Sequence, residues 1–252
     1  MSNNKINIWI NGAMGKMGTQ LISFIKNHEN ILITGIISPS HAGQNVEVQN
    51  NKIKVAKDLV TLSETIELPD VIVDFTKADA GFEAAKFAAK NNIAFVSGTT
   101  GFTDGQKLEI DKAFSASSAK AIIAPNFSLG VVLMMEFSAK AAQFFADIEI
   151  VETHHKTKLD SPSGTAITTA SMIKKSRRTA GAEEIEIPMH SLRLSGAVAH
   201  QKVYLSSPGE VFRIEHDAND RVCFMSGVVL SIEKVGSLKN VLYSIAPLIF
   251  EE

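Results

Sequence analysis

Short apolar runs recur along the first half of the chain, each followed by a segment whose apolar residues repeat at helical spacing. Residues 5–10 alternate into a short strand and break into Gly12-Ala-Met-Gly15-Lys-Met-Gly18. Leu21, Ile22 and Ile25 then continue at helical period. Residues 31–37 form a second buried-strand pattern, and 71–73 a third that ends in Asp74-Phe-Thr76. A fourth, 94–97, is closed by Gly98-Thr-Thr-Gly101, and a fifth, 121–124, ends at Pro125-Asn-Phe-Ser128. Between them, 78–90 is alanine-rich with Phe82, Ala85 and Ala89 on one helical face. Thr103 and Gln106 have capping-box spacing for a helix over 104–117. This alternation predicts a doubly wound parallel sheet over residues 1–125. Ligands of such sheets bind beyond the carboxyl ends of the strands, which here carry Gly12, Asp74, Gly98 and Pro125-Asn126.

After Asn126 the texture changes. Residues 130–145 read as a long apolar helix rich in Met and Phe, 148–152 as a strand and 164–174 as a helix. Strand patterns then follow one another without intervening helices, at 184–187, 198–205 and 211–216. That succession predicts a second α+β domain over residues 126–227 with an open, mostly antiparallel sheet. Such a sheet keeps one face for another copy of the chain, so a homo-oligomer is expected. Residues 224–235 and 241–250 read as helices, and 228–252 is expected to return to the first domain.

Composition narrows the class rather than the activity. The chain has 252 residues, 45% apolar and 21% charged, enough for one large core or two modest ones. A formal charge of −2 gives no global attraction to nucleic acid. The densest basic run, Lys174-Lys175-Ser-Arg177-Arg178, reads as a solvated helix end. The single cysteine, Cys223, excludes an internal disulfide and a cysteine-built zinc site, and reads as a buried, unreactive thiol. Met1-Ser-Asn-Asn-Lys5 lacks a cleavable apolar leader and no apolar run nears the ~20 residues of a membrane span. A cytoplasmic protein without membrane partners is therefore expected.

The turn Gly12-x-x-Gly15-x-x-Gly18 suits a dinucleotide, because glycines let the backbone approach a pyrophosphate whose charge the helix N-terminus favours. With the alternation around it, the first domain reads as Rossmann-like. An acidic residue after the second strand would grip the ribose of NAD(H), but this chain has Ser38-Pro-Ser40-His41. Two hydroxyls in place of an acid, with Lys16 near in sequence, tilt the expectation from NADH toward NADPH.

The densest chemistry lies in Val151-Glu-Thr-His-His-Lys-Thr-Lys-Leu-Asp-Ser-Pro-Ser-Gly-Thr-Ala166. Asp160-Ser-Pro-Ser163-Gly-Thr165 has the residue types of a helix N-terminus. The amides of Gly164 and Thr165, with the hydroxyls of Ser163 and Thr165, suit a carboxylate. Lys158 offers a positive charge or a proton, and His154 and His155 titrate near neutrality. Neighbours on an extended segment point to opposite faces, so the two histidines do not naturally ligate one ion, and no metal is expected. A tyrosine with lysine four positions on is absent, since Pro208 follows Tyr204 there and Pro247 follows Tyr243. No G-x-S-x-G elbow makes Ser163 a nucleophile. Arg193 and Arg221 either aid a dianion or form salt bridges.

These residues resemble one family over nearly the whole chain, the 4-hydroxy-tetrahydrodipicolinate (dihydrodipicolinate) reductases of the diaminopimelate route to lysine. The resemblance is carried by Gly12-Ala-Met-Gly-Lys-Met-Gly18, Val73-Asp-Phe-Thr76, Gly98-Thr-Thr-Gly101, Ala124-Pro-Asn-Phe-Ser128 and Glu152-Thr-His-His155. Lys158-Leu-Asp-Ser-Pro-Ser-Gly-Thr-Ala166 and His190-Ser-Leu-Arg193 complete it. It implies that NAD(P)H gives a hydride to a cyclic imine dicarboxylate, with loss of water, to form tetrahydrodipicolinate. It implies His154 as proton donor or acceptor and Lys158 as a second proton donor. His155, Lys158, Ser163, Gly164 and Thr165 would hold the substrate carboxylates. The implied cofactor side comprises Gly12, Ala13, Gly15, Lys16, Met17 and Ser38; Asp74, Phe75, Thr76 and Lys77; Gly98, Thr99 and Thr100; and Ala124, Pro125, Asn126 and Phe127. A homotetramer joined through the second domain's sheet, and closure of the domains on both ligands, are implied as well.

The chain departs from the family pattern twice. The acidic residue of many members after the second strand is missing, and their Gly-Glu-His is matched here by a stretch read as a loop, His200-Gln-Lys202. Two other readings share the residues: an NADPH sensor without turnover, and an oxidoreductase of related shape acting on another amino-acid-derived aldehyde or imine. A sensor has no need of the proton donors that His154 and Lys158 supply.

Overall fold

The computed structural model describes residues 5–250; Met1–Asn4, most of the segment read above for a leader, and Glu251–Glu252 lie outside the described residues. The first half builds β1 (Ile6–Asn11), α1 (Lys16–Phe24), β2 (Ile31–Ile37), β3 (Asn45–Val48), β4 (Asn51–Lys54) and α2 (Leu59–Ser63). It continues with β5 (Val71–Asp74), α3 (Ala78–Lys90), β6 (Ala94–Ser97), α4 (Asp104–Ser115) and β7 (Ala121–Ile123). Five strands form one parallel sheet in the order β2-β1-β5-β6-β7, as the alternation of elements predicts. Helices cover both faces, so β5, β6 and β7 are buried at every position and show no polar alternation. On one face Trp9, Ile72 and Phe95 pack against Ala85 and Ala88 of α3 and Ile110 and Phe114 of α4. Alanines on α3 let that helix lie close to the sheet.

The polar pair β3 and β4 has too weak an apolar alternation to read as strands, yet it forms a hairpin. Gln49 and Asn50 take positive φ at its turn, and the Gln49 side chain bonds the backbone of Ile25, Ile31 and Ile33.

Then follow α5 (Leu129–Ala141), β8 (Asp147–His154), α6 (Gly164–Thr179), β9 (Met189–Arg193), β10 (Ala199–Ser207) and β11 (Glu210–Ala218). They make a four-stranded sheet, β11-β10-β8-β9, antiparallel except for the β8–β9 pair. Ile148, Ile150, Val203 and Leu205 form its buried face with Ala139 of α5 and Ala166, Ala170 and Ile173 of α6. The chain ends with α7 (Met225–Lys234) and α8 (Ala246–Ile249). Two compact units result. One runs to Phe127 and resumes at Phe224; the other is Ser128–Cys223. No helix among the described residues is long and apolar enough to cross a membrane.

Four expectations need correction. Residues 184–187 are not a strand; β9 begins after Pro188, whose carbonyl accepts from the Ile150 N–H. Residues 241–250 are not one helix. Leu242 bonds the backbone of Ala121 and Ile123 at the open edge of β7, and Pro247 suits only the first turn of α8. His200, Gln201 and Lys202, named as a loop in the family comparison although they fall in the strand pattern at 198–205, lie within β10, where they meet Asp217, Thr169 and Glu215. The basic run is not wholly solvated. Arg177 is buried and donates to the carbonyls of Ala142, Phe145 and Glu183 at 2.6–3.1 Å, while Arg178 is exposed.

That contrast is measurable. Arg177→Met leaves those carbonyls without donors and should cost about 3 kcal/mol of stability in urea unfolding. Arg178→Met should stay within about 0.5 kcal/mol. Equal effects would contradict the stapling role.

Candidate active site

In the first unit, ladder hydrogen bonds continue past the strand ends. The Gly12 N–H donates to the Ile37 carbonyl (3.1 Å), Phe75 to Asn11 (3.0 Å), Gly98 to Asp74 (2.9 Å) and Ala124 to Ser97 (3.0 Å). The turns after β1, β5, β6 and β7 therefore stand in a row along one sheet edge. Gly12 has φ +81°, and a Cβ there would lie 2.6 Å from the Phe75 carbonyl oxygen. At Gly18 a Cβ would lie 2.5 Å from the carbonyl oxygens of Gly12 and Ala13. Gly15 caps α1 without a side-chain hydrogen bond, so first-turn amides remain for an anion. A backbone cradle of this kind fits a dinucleotide pyrophosphate.

Beneath that edge lies Asp74, fully buried. Its carboxylate accepts from Asn11 Nδ2 (2.9 Å), Thr76 Oγ1 (2.7 Å), Ser97 Oγ (2.9 Å) and Thr99 Oγ1 (2.7 Å). Burial pushes its carboxyl above the ordinary range against the pull of these bonds. The side chain fixes three strand ends from below, with no open face toward a ligand. Ser38 is also buried; its hydroxyl bonds Ser40 and His41 Nδ1 within a 3₁₀ turn. Ala13, Thr99, Ala124 and Phe127 are buried as well. Gly12, Gly15, Lys16, Met17, Phe75, Thr76, Lys77, Gly98, Thr100, Pro125 and Asn126 keep exposed surface. A cleft of about 470 Å³ at the ends of β1 and β2 is lined by Asn11, Ile37, Pro39, Lys57, Lys86 and Lys90.

In the second unit the centre is Glu152, fully buried on β8. Arg193 of β9 grips both its oxygens, Nη1 to Oε2 at 3.0 Å and Nη2 to Oε1 at 2.9 Å. His154 Nδ1 bonds the same carboxylate, and the Ser163 N–H donates to it at 3.2 Å. Burial works to raise Glu152, but hydrogen bonds led by Arg193 outweigh it and hold the carboxyl below its ordinary range. An ionised Glu152 requires the hydrogen on His154 Nδ1, which leaves Nε2 with its lone pair. Burial lowers the His154 imidazole; Glu152 pulls it up, and the charges of Lys158 and Arg193 push it down again.

Ser163 caps the 16-residue helix α6, its Oγ accepting from the Ala166 N–H at 3.2 Å. The Gly164 and Thr165 amides remain at the helix mouth. Lys158 Nζ meets the Asp160 carboxylate there at 2.8 Å, and that contact, with the Gly164 N–H contributing, pulls Asp160 below its ordinary range. A side-chain carboxylate thus already sits on the ammonium predicted to hold a substrate carboxylate. His155 bonds the Thr157 hydroxyl at 2.8 Å and does not join the Glu152 cluster. Of the two readings of Arg193, the structure has the ion pair. Arg221 is exposed on a 3₁₀ turn. Glu152 and Lys57 were missing from the predicted set. Period-2 alternation was the available signal for Glu152, since it places residues 152 and 154 on one face of a strand.

Two family models match the chain: dihydrodipicolinate reductase, N-terminus, over residues 6–127, and dihydrodipicolinate reductase, C-terminus, over residues 130–249. A 4-hydroxy-tetrahydrodipicolinate reductase of Listeria innocua is 36% identical over 94% of this chain and 97% of its own length. That of Bacillus subtilis is 35% identical over 99% and 100%. Among solved structures, dipicolinate-bound dihydrodipicolinate reductase from Paenisporosarcina sp. TG-14 is similar with a TM-score of 0.84 and 36% identity, covering 96% of this chain and 98% of that one. A myo-inositol dehydrogenase of Corynebacterium glutamicum shares the fold alone, at 10% identity and a TM-score of 0.66. The chain belongs to the dihydrodipicolinate reductase family.

Proposed function

We propose that this chain reduces 4-hydroxy-tetrahydrodipicolinate to tetrahydrodipicolinate, releasing water, in lysine synthesis through diaminopimelate. The observation that carries the reading is the meeting, within one unit, of His154, Lys158 and the amides at the mouth of α6. When bound, NAD(P)H supplies the hydride. A dicarboxylate needs a cation and oriented N–H donors, which Lys158, Gly164 and Thr165 offer, with Ser163 as the cap that keeps the mouth open. The reaction also needs a proton delivered to the reduced ring. In this reading His154 Nε2 and Lys158 Nζ carry it.

NADPH fits the first unit better than NADH. No acid follows β2; the Ser38 hydroxyl, expected to face the 2′-position, is instead turned inward onto Ser40 and His41, so the preference rests on the missing acid and on Lys57. The Ser38 N–H donates to the Ala56 carbonyl at 3.0 Å, which sets Lys57 beside the loop that would face a ribose 2′-substituent. The face of the four-stranded sheet opposite its helices, with Val211 uncovered on β11 and Leu192 on β9, supports the homotetramer implied by the family pattern.

Three measurements bear on this reading. Enzymically generated hydroxy-tetrahydrodipicolinate should oxidise NADPH in a coupled absorbance assay, and His154→Ala and Lys158→Ala should each lower kcat by ~10²-fold or more while NADPH still binds. Wild-type rates from both variants would remove the proton-handling assignment. Lys57→Ala should weaken NADPH binding by about tenfold and leave NADH nearly unchanged; equal losses would refute the 2′-phosphate role. Light scattering on a size-exclusion column should report four copies, and a monomer at micromolar concentration would overturn the tetramer.

A further inference from the structure

Glu152 touches both halves of the site. It bonds His154 on the proton side, and through the Ser163 N–H it bonds the residue that caps α6 on the carboxylate side. It has no exposure of its own, so it cannot meet a ligand. A buried carboxylate of this kind is costly unless paired, and Arg193 pairs it with two hydrogen bonds while also donating to the Asp160 carbonyl at 2.7 Å. The 154–163 segment is thereby anchored at its start, near its end and at its cap by one ion pair. Two registers reinforce the arrangement, since Glu152 pairs with Ser191 and His154 with Arg193 along the β8–β9 ladder.

We propose that Glu152 is the positioning residue of the reaction: with Arg193 it fixes His154 in the Nδ1–H tautomer and holds the α6 mouth in register with that ring. This rests on the proposed reductase reading for its catalytic consequence, though not for the tautomer itself. The carboxylate acts through His154 and takes up no proton in the cycle. The charged groups facing the ring are Glu152 on its own strand, Arg193 from β9 and Lys158 from the loop that follows.

The test compares the wild type with Glu152→Gln, which keeps the shape and removes the charge, and Glu152→Asp, which keeps the charge and shortens the reach. Nitrogen-15 NMR of the His154 ring at neutral pH should show hydrogen on Nδ1 in the wild type. In Glu152→Gln the Nε2–H form should become populated and the ring should titrate at lower pH, because an anion that favours the imidazolium is gone. The kcat of Glu152→Gln should fall by about 10²-fold or more, with its pH inflection moved down, while dipicolinate binding changes less than threefold. Glu152→Asp should recover part of the kcat and of the wild-type inflection. If Glu152→Gln fails to fold, the wild-type spectrum and Glu152→Asp still decide. An Nε2–H ring in the wild type, a wild-type rate and pH profile in Glu152→Gln, or a Glu152→Asp with neither kcat nor inflection recovered, overturns the proposal. A wild type that shows the Nδ1–H ring but oxidises no NAD(P)H would sink the reductase reading and leave the tautomer assignment standing.

Discussion

A carboxylate taken wholly out of water must be met by donors, and each unit of this protein is organised round one such group. Asp74 in the first unit and Glu152 in the second are both fully buried, and both lie beneath the residues that would meet ligands. They are satisfied differently. Asp74 receives three hydroxyls and an amide, all neutral, and burial leaves its carboxyl raised. Glu152 receives a guanidinium, and its carboxyl is lowered. The first arrangement suits a scaffold that ties strand ends together. The second keeps a charge in place beside a histidine, where that charge selects a tautomer.

Anion handling follows a common device in the two units, the N-terminus of a helix, with different caps. At α1 the cap is Gly15, which contributes no side chain and lets the backbone itself approach a diphosphate. At α6 the cap is Ser163, whose hydroxyl takes the Ala166 amide and whose own amide is taken by Glu152. What remains at α6 is a small, defined set of donors, better matched to one carboxylate than to an extended phosphate chain. Lys158, beside that mouth, already pairs with one carboxylate, that of Asp160.

Much of this was legible in the sequence because the informative residues are bound to strong local patterns. Alternating strands and helices, glycines at the β1–α1 turn, and Ser-Gly-Thr before a helix each have a direct structural reading. What escaped depended on partners far away in sequence. Arg177 reads as one of four cations at a helix end, and only the carbonyls of Ala142 and Phe145 make it a buried staple. Leu242 sits in an apolar run, and only the unpaired edge of β7 draws it out of a helix. Asp74 stood among the expected cofactor contacts because it ends a strand, while the distant groups that enclose it, the Asn11 amide and the Ser97 and Thr99 hydroxyls, come from two other segments. Glu152 was quoted within the motif, but its importance depends on Arg193, forty-one positions on.

The most direct test of this account is a crystal structure of the protein with dipicolinate. One carboxylate should lie on the Gly164 and Thr165 amides and on Lys158 Nζ, with Asp160 displaced from that ammonium. Glu152 should still hold Arg193, His154 Nδ1 and the Ser163 amide. Dipicolinate bound away from the α6 mouth, or a His154 ring turned off Glu152, would contradict it.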